Sequence, residues 1–282
     1  MTPYLLGLYE KSMPATLTIP EKLTETKQAG FDFLELSIDE TDEKLARLEW
    51  DREEVHQVLD AMWEIELPIR SICLSGHRKY PMGHPDSHIR DRSLQILEKA
   101  LCLADSLGVR TIQLAGYDVY YLPSDEETCV FFQESLHIAA QMAARYGVTL
   151  AFETMETPFM NTVEKAMVFV REMDSPWLQV YPDIGNLTNA AVGAGRDPLA
   201  DLAAGAGHLS ALHLKESVPG KFRDLFFGQG HVDFEAAAAA ARSLGIHRFV
   251  AEFWYLGNPD WRQDLLNAQI FLRKALRGSL GA

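Results

Sequence analysis

Short apolar runs alternate with longer amphipathic stretches from one end of this chain to the other, and that alternation constrains the fold more than any other feature. Each short run reads as a strand buried on both faces, and each longer stretch as a helix covering it. Strands are expected at Tyr4–Leu8, Phe31–Leu36, Ile69–Leu74, Thr111–Leu114, Val148–Phe152, Leu178–Tyr181, Leu209–Leu214 and Phe249–Phe253. Helices are expected near 20–29, 51–66, 89–107, 124–146, 161–172, 196–205, 233–243 and 261–276. Gly30, Gly108, Gly147 and Gly245 each stand between a helix and the next strand, where a helix closes on a residue with positive φ. Eight βα units in 282 residues fit a closed barrel, which commonly takes about 250 residues. The expected class is α/β, a single (β/α)8 TIM barrel over 1–282. The alternative, an open doubly wound sheet, lacks its usual marks, since no strand runs into a Gly-x-Gly-x-x-Gly turn or a Walker loop.

Charge and composition narrow the function. Lys and Arg number 26 against 40 Asp and Glu, a formal net charge of −14, so a polyanion would approach against a repulsive field and nucleic acid is not an expected partner. Cys73, Cys102 and Cys129 are too few and too far apart for a disulfide framework or a thiolate zinc site, and are expected to be reduced packing residues, mostly buried. The first residues carry neither a basic segment nor a long apolar one, and nowhere do 18 apolar residues run together. A cytoplasmic enzyme without a membrane partner is expected.

In a barrel, the loops at the C-terminal ends of the strands build the active site. Glu153 closes Val-Thr-Leu-Ala-Phe-Glu, Asp183 follows Leu-Gln-Val-Tyr-Pro, His213 lies in Leu-Ser-Ala-Leu-His-Leu, and Glu252 lies in Phe-Val-Ala-Glu-Phe-Trp. Singly, such an acid is usually a helix cap or an ion-pair partner, and such a histidine a hydrogen-bonded core residue. Placed together at one edge of four successive strands, three carboxylates and an imidazole repel unless a divalent cation neutralises them. The oxygen-rich set suits one Mn²⁺, Mg²⁺, Co²⁺ or Zn²⁺ ion. An ion that chelates a ketose carbonyl and the neighbouring hydroxyl acidifies the carbon proton between them. Glu153 on one side would remove that proton from C3 and Glu252 would return it to the opposite face, which is epimerisation.

At these residues the chain resembles the xylose-isomerase-like barrel superfamily, which includes ketose 3-epimerases, sugar isomerases and endonuclease IV. Six segments are similar to its L-ribulose-5-phosphate (L-xylulose-5-phosphate) 3-epimerase branch, of bacterial ascorbate and pentose catabolism. They are Gly7-Leu-Tyr-Glu-Lys11, Thr41 to Trp50, Cys73-Leu-Ser-Gly-His-Arg78, Tyr181-Pro-Asp-Ile-Gly-Asn186, Leu212-His-Leu-Lys-Glu216 and Phe227-Gly-Gln-Gly230. The resemblance implies Glu153, Asp183, His213 and Glu252 as metal ligands, with Glu153 and Glu252 as the catalytic pair. Relatives that act on unphosphorylated sugars carry His three residues after the metal Asp, where Asn186 stands here, which suits a phosphopentulose. The resemblance also implies a homo-oligomer, with a dimer favoured.

A phosphorylated ketose needs cations or backbone N–H groups beyond the sugar. Lys215, two residues after His213, points toward the same barrel mouth. Lys11 follows the first strand, His77, Arg78 and Lys79 the third, Lys221 and Arg223 the seventh, and Arg47 lies in a helical loop after the second. The resemblance favours Arg223, while Gly228 and Gly230 serve the turn. Other readings of the same residues are a hexulose-phosphate isomerase, a neutral-sugar 3-epimerase, an apurinic-site endonuclease, and a sugar-binding barrel. The last has no need of two bases, and the endonuclease needs a richer ligand set and a basic rim.

Overall fold

A computed structural model of the chain describes residues 4–278. Its eight strands are β1 (Leu5–Tyr9), β2 (Phe33–Ile38), β3 (Ile69–Leu74), β4 (Thr111–Ala115), β5 (Thr149–Glu153), β6 (Leu178–Val180), β7 (Leu212–Leu214) and β8 (Arg248–Ala251). All pair in parallel, in the order β6-β5-β4-β3-β2-β1-β8-β7. The ends meet through isolated parallel bridges, Val180 with Leu209 and Asp183 with His213. Val180 N–H donates to the His208 carbonyl at 2.8 Å, and His213 N–H to the Pro182 carbonyl at 2.9 Å. Both flanking strands are short here because Pro182 has no N–H to give to a ladder. The sheet is therefore a closed (β/α)8 barrel, and the expected seventh strand contracts from Leu209–Leu214 to Leu212–Leu214.

Among the described residues ten α-helices surround it: α1 (Ile19–Gln28), α2 (Asp42–Ala46), α3 (Arg52–Ile65), α4 (Ser87–Ser106), α5 (Glu126–Tyr146), α6 (Val163–Met173), α7 (Ile184–Ala194), α8 (Pro198–Ala203), α9 (Phe234–Ser243) and α10 (Trp261–Gly278). None among the described residues is long and apolar enough to cross a membrane. Gly30, Gly108, Gly147 and Gly245 have φ of 85°, 71°, 62° and 83°, the left-handed closure their placement required. α7 was not expected. Its sequence, Ile-Gly-Asn-Leu-Thr-Asn-Ala-Ala-Val-Gly-Ala, is poor in strong helix formers, so burial of its first turns and the Asp183 cap hold it instead. The cysteines are all free, but Cys102 on α4 is exposed, Cys129 half-buried and only Cys73 buried.

Strand alternation divides the interior into two layers. Leu34, Leu36 and Ile38 of β2 join the large core between sheet and helices. Phe33 faces the barrel axis with Tyr9, Cys73, Ala151, Tyr181, Ala211 and Val250. Phe33 fills the axis because β1 offers Gly7 opposite it, where an added Cβ would lie 2.3 Å from a ring carbon. Overpacking of this kind typically costs about 1–3 kcal/mol. Gly7→Ala is therefore expected to lower the urea midpoint without changing the m-value, and an unchanged midpoint would show that the ring has room to shift.

Candidate active site

Above this floor, inward positions of the strands turn polar. Glu153 ends β5, Asp183 follows β6, His213 sits within β7, and Glu252 follows β8. All four are buried, and one candidate ligand atom from each lies within 4.8 Å of every other. His213 Nδ1 is 2.9 Å from Glu252 Oε2 and 3.8 Å from Glu153 Oε1. Asp183 plays two parts. Its Oδ1 accepts the Asn186 N–H at 2.7 Å and caps α7, while Oδ2 faces inward without a well-formed hydrogen bond, 2.9 Å from Lys215 Nζ. Thr154 Oγ accepts the Asp183 N–H at 3.0 Å, which ties the β5 end to the β6 end and holds Glu153 and Asp183 together.

The electrostatics are those of a cage short of positive charge. Burial and then the Glu252 charge push the Glu153 carboxyl well above the usual range, and burial likewise raises Asp183 against the pull of Lys215. Burial also opposes the charge on Glu252, but Lys215 and His213 outweigh it and keep that carboxyl low. For His213, burial is outweighed by Glu35 and Glu252, so the ring holds its proton strongly. A buried set of three carboxylates and one imidazole fits a single divalent ion in spacing and donor chemistry.

A cleft opens over these groups, lined by Tyr9, Lys11, Cys73, Ser75, Arg78, Glu153, Met155, Glu156, Lys215, Arg223, Glu252 and Trp254. Lys11 pairs with Asp39 at 2.5 Å. Arg223 lies over the Trp254 ring at 5.3 Å, with Glu156 3.9 Å away. Arg78 covers Tyr120 at 4.8 Å, with Glu40 at 3.8 Å. Lys215 reaches the cleft floor, engaged with Asp183 and with Glu252 at 3.7 Å.

Other residues expected near the substrate lie outside this lining. Asn186 is buried outside the cleft lining; its amide Nδ2 donates to the Thr154 carbonyl at 2.7 Å, and its Oδ1 has no hydrogen-bond partner among the described residues. Arg47 is buried with Lys22 and Lys44 around Glu10, which also accepts the Ser37 N–H at 2.8 Å, a brace for the β1 and β2 loops. Lys79 is half-exposed beside Asp42, and Lys221 joins a hairpin with Val218 away from the cleft lining. His77 lies in a 3-10 turn, Gly76–Arg78, whose successive side chains point about 120° apart. Arg78 takes the cleft side and His77 the α4 side, where its Nε2 meets the Ser93 carbonyl at 3.2 Å. Burial pushes the His77 ring down to about 4, against a smaller upward pull from Ser93.

That burial has a measurable result. In the unfolded chain the ring returns to about 6.5, so between the two values the unfolded state binds more protons and stability falls as the pH drops. The full loss is about 3 kcal/mol below both values. Urea unfolding between pH 4 and 8 is expected to show this acid slope in the native chain and a shallower one in His77→Gln; equal slopes would contradict it.

Sequence reasoning passed over what lies beneath His213. Glu35 of β2 meets His213 Nε2 at 2.6 Å, and its other oxygen accepts from Ser71 Oγ at 2.6 Å and Tyr181 OH at 3.0 Å. The available signal was a charged residue at an inward position of an otherwise apolar strand, Phe-Leu-Glu-Leu-Ser-Ile.

The family described as xylose isomerase-like TIM barrel matches residues 23–275. L-ribulose-5-phosphate 3-epimerase UlaE of Salmonella heidelberg (strain SL476) is 42% identical over 250 residues, 88% of this chain and 87% of that protein. The protein of the same name from Shigella boydii serotype 18 is 42% identical over 269 residues, 95% of this chain and 93% of that one. A crystal structure of D-psicose 3-epimerase in the presence of D-fructose superposes with a TM-score of 0.80 at 15% identity, covering 96% of this chain and 99% of the other, a likeness of fold. By matches that span nearly its whole length, this chain belongs to the xylose isomerase-like TIM barrel family, in the branch of the L-ribulose-5-phosphate 3-epimerases.

Proposed function

We propose that this chain is a metal-dependent 3-epimerase that interconverts L-xylulose 5-phosphate and L-ribulose 5-phosphate, with Glu153 and Glu252 as the two bases at C3. The observation that carries this reading is that carboxylates from β5 and β8 reach one cleft and one imidazole nitrogen. Glu153, Asp183, His213 and Glu252 would hold a divalent ion, Mn²⁺, Mg²⁺, Co²⁺ or Zn²⁺. When bound, the ion supplies positive charge beside the ketose oxygens, where negative charge grows as C3 loses its proton.

The chain's own groups do the rest. One glutamate takes the C3 proton from its face while the other delivers a proton to the opposite face, so configuration inverts without exchange of the carbon skeleton. Lys215 lies on the cleft floor with Asp183 and Glu252 and offsets their charge, while Lys11, Arg78 and Arg223, each beside an acid outside the cage, are the cations around the cleft for the phosphate. Trp254 and Met155 add apolar surface to the lining of the opening. The test is incubation of the metal-loaded protein with L-xylulose 5-phosphate in D₂O, followed by NMR. Deuterium at C3 together with L-ribulose 5-phosphate is expected. No exchange with either pentulose phosphate, while the ion is bound, would overturn the reading.

A further inference from the structure

We propose that Glu35 is a positioning residue that holds His213 by Nε2, so that Nδ1 is presented, without its proton, to the ion among Glu153, Asp183 and Glu252. This rests on the reading of those four residues as a metal cage. Glu35 is fully buried, 0% exposed, at the axis-facing side of β2. One of its oxygens lies 2.6 Å from His213 Nε2, and the other accepts from Ser71 Oγ at 2.6 Å and Tyr181 OH at 3.0 Å. With a donor on each oxygen, the carboxylate has one orientation.

A carboxylate only accepts, so Glu35 on one nitrogen and Glu252 on the other each favour a ring hydrogen; when an ion takes the place of the hydrogen on Nδ1, Glu35 keeps the one on Nε2 of the neutral ring. Nδ1 is the nitrogen that faces Glu252 and Glu153. Gln113 Nε2 stands 3.2 Å from one ring nitrogen and 3.3 Å from the other, so it covers the ring face and does not compete for either in-plane position. The Tyr181 ring closes another side, edge-on at 4.9 Å. Among the described residues no Lys or Arg pairs with Glu35; its ion-pair partner is His213. A purely structural acceptor for two hydroxyls needs no charge, whereas a partner that orients a metal-binding imidazole through its N–H does.

The test titrates Co²⁺ against a competing chelator into the full-length native chain, Glu35→Gln and Ser71→Ala. Loss of such a partner typically weakens metal binding about 10–100-fold. Glu35→Gln is expected to show that loss with a shifted Co²⁺ absorption band, and Ser71→Ala a smaller loss in the same direction. Nitrogen-15 NMR of the native chain loaded with Zn²⁺ is expected to show a hydrogen on Nε2 of His213 and none on Nδ1, a readout that needs no variant to fold. Native affinity and an unshifted band in Glu35→Gln, or a hydrogen on Nδ1 in the loaded chain, would overturn the proposal and leave the cage standing. A native chain that takes up no Co²⁺ would overturn the cage reading and this proposal with it.

Discussion

Glu153→Gln and Glu252→Gln are each expected to lose epimerisation by about 10³-fold or more, the upper part of the range for removing a positioned acid or base. Glutamine keeps the shape and an oxygen donor but cannot accept the C3 proton. The two variants are expected to differ in one respect. With one base left, the epimer whose C3 hydrogen faces the surviving glutamate still exchanges it with D₂O, without inversion, whereas the other epimer is inert. Glu153→Gln should therefore wash deuterium into C3 of one pentulose phosphate and Glu252→Gln into C3 of the other. Metal content must be measured alongside, since each residue also faces the cage. Variants that exchange both epimers alike, or that keep a tenth of native turnover, would show that the bases lie elsewhere.

Stripping the ion with a chelator is expected to abolish turnover, and re-addition of a divalent ion to restore it. Stability should change too. A ligand at about 100 to 1,000 times its Kd adds about 3–4 kcal/mol to a fold that binds it and an unfolded state that does not. For a chain of this length each of those kcal/mol moves the melting temperature by about 2–4 °C, so a drop on the order of 10 °C is expected on stripping. Uptake should also weaken as the pH falls. In the empty cage burial keeps protons on Glu153 and Asp183, and the Glu35 and Glu252 charges keep one on His213, so the ion must displace them. Calorimetric titration in two buffers of different ionisation enthalpy reads that proton release. Full activity after complete stripping would remove the ion from the reaction.

Much of this site was legible because its signals are local. A strand's period of two decides which residues share a face, and a helix-closing glycine marks where the next strand begins. Those rules placed Glu153, Asp183, His213 and Glu252 at one edge of the sheet before any contact was known, and they gave Lys215 the same direction as His213. Local rules were silent on α7, because its residues are weak helix formers and its stability comes from burial and from Asp183 at its head. They favoured His77 over Arg78 for the substrate, whereas the docking of one turn against α4 turns His77 toward Ser93 and Arg78 to the cleft.

Partnership was decided by the tertiary structure. Glu35 and His213 stand 178 positions apart and meet only because the sheet curls until β6 and β7 close it. The same closure places Lys215 against Asp183 and leaves Asn186 to serve the backbone of Thr154. From the sequence alone came the order of strands, the parity of their side chains and the residues that could carry chemistry, all matters of near neighbours along the chain. Which of those groups neutralise, orient or exclude one another depends on distances across the barrel, and only a closed sheet sets those.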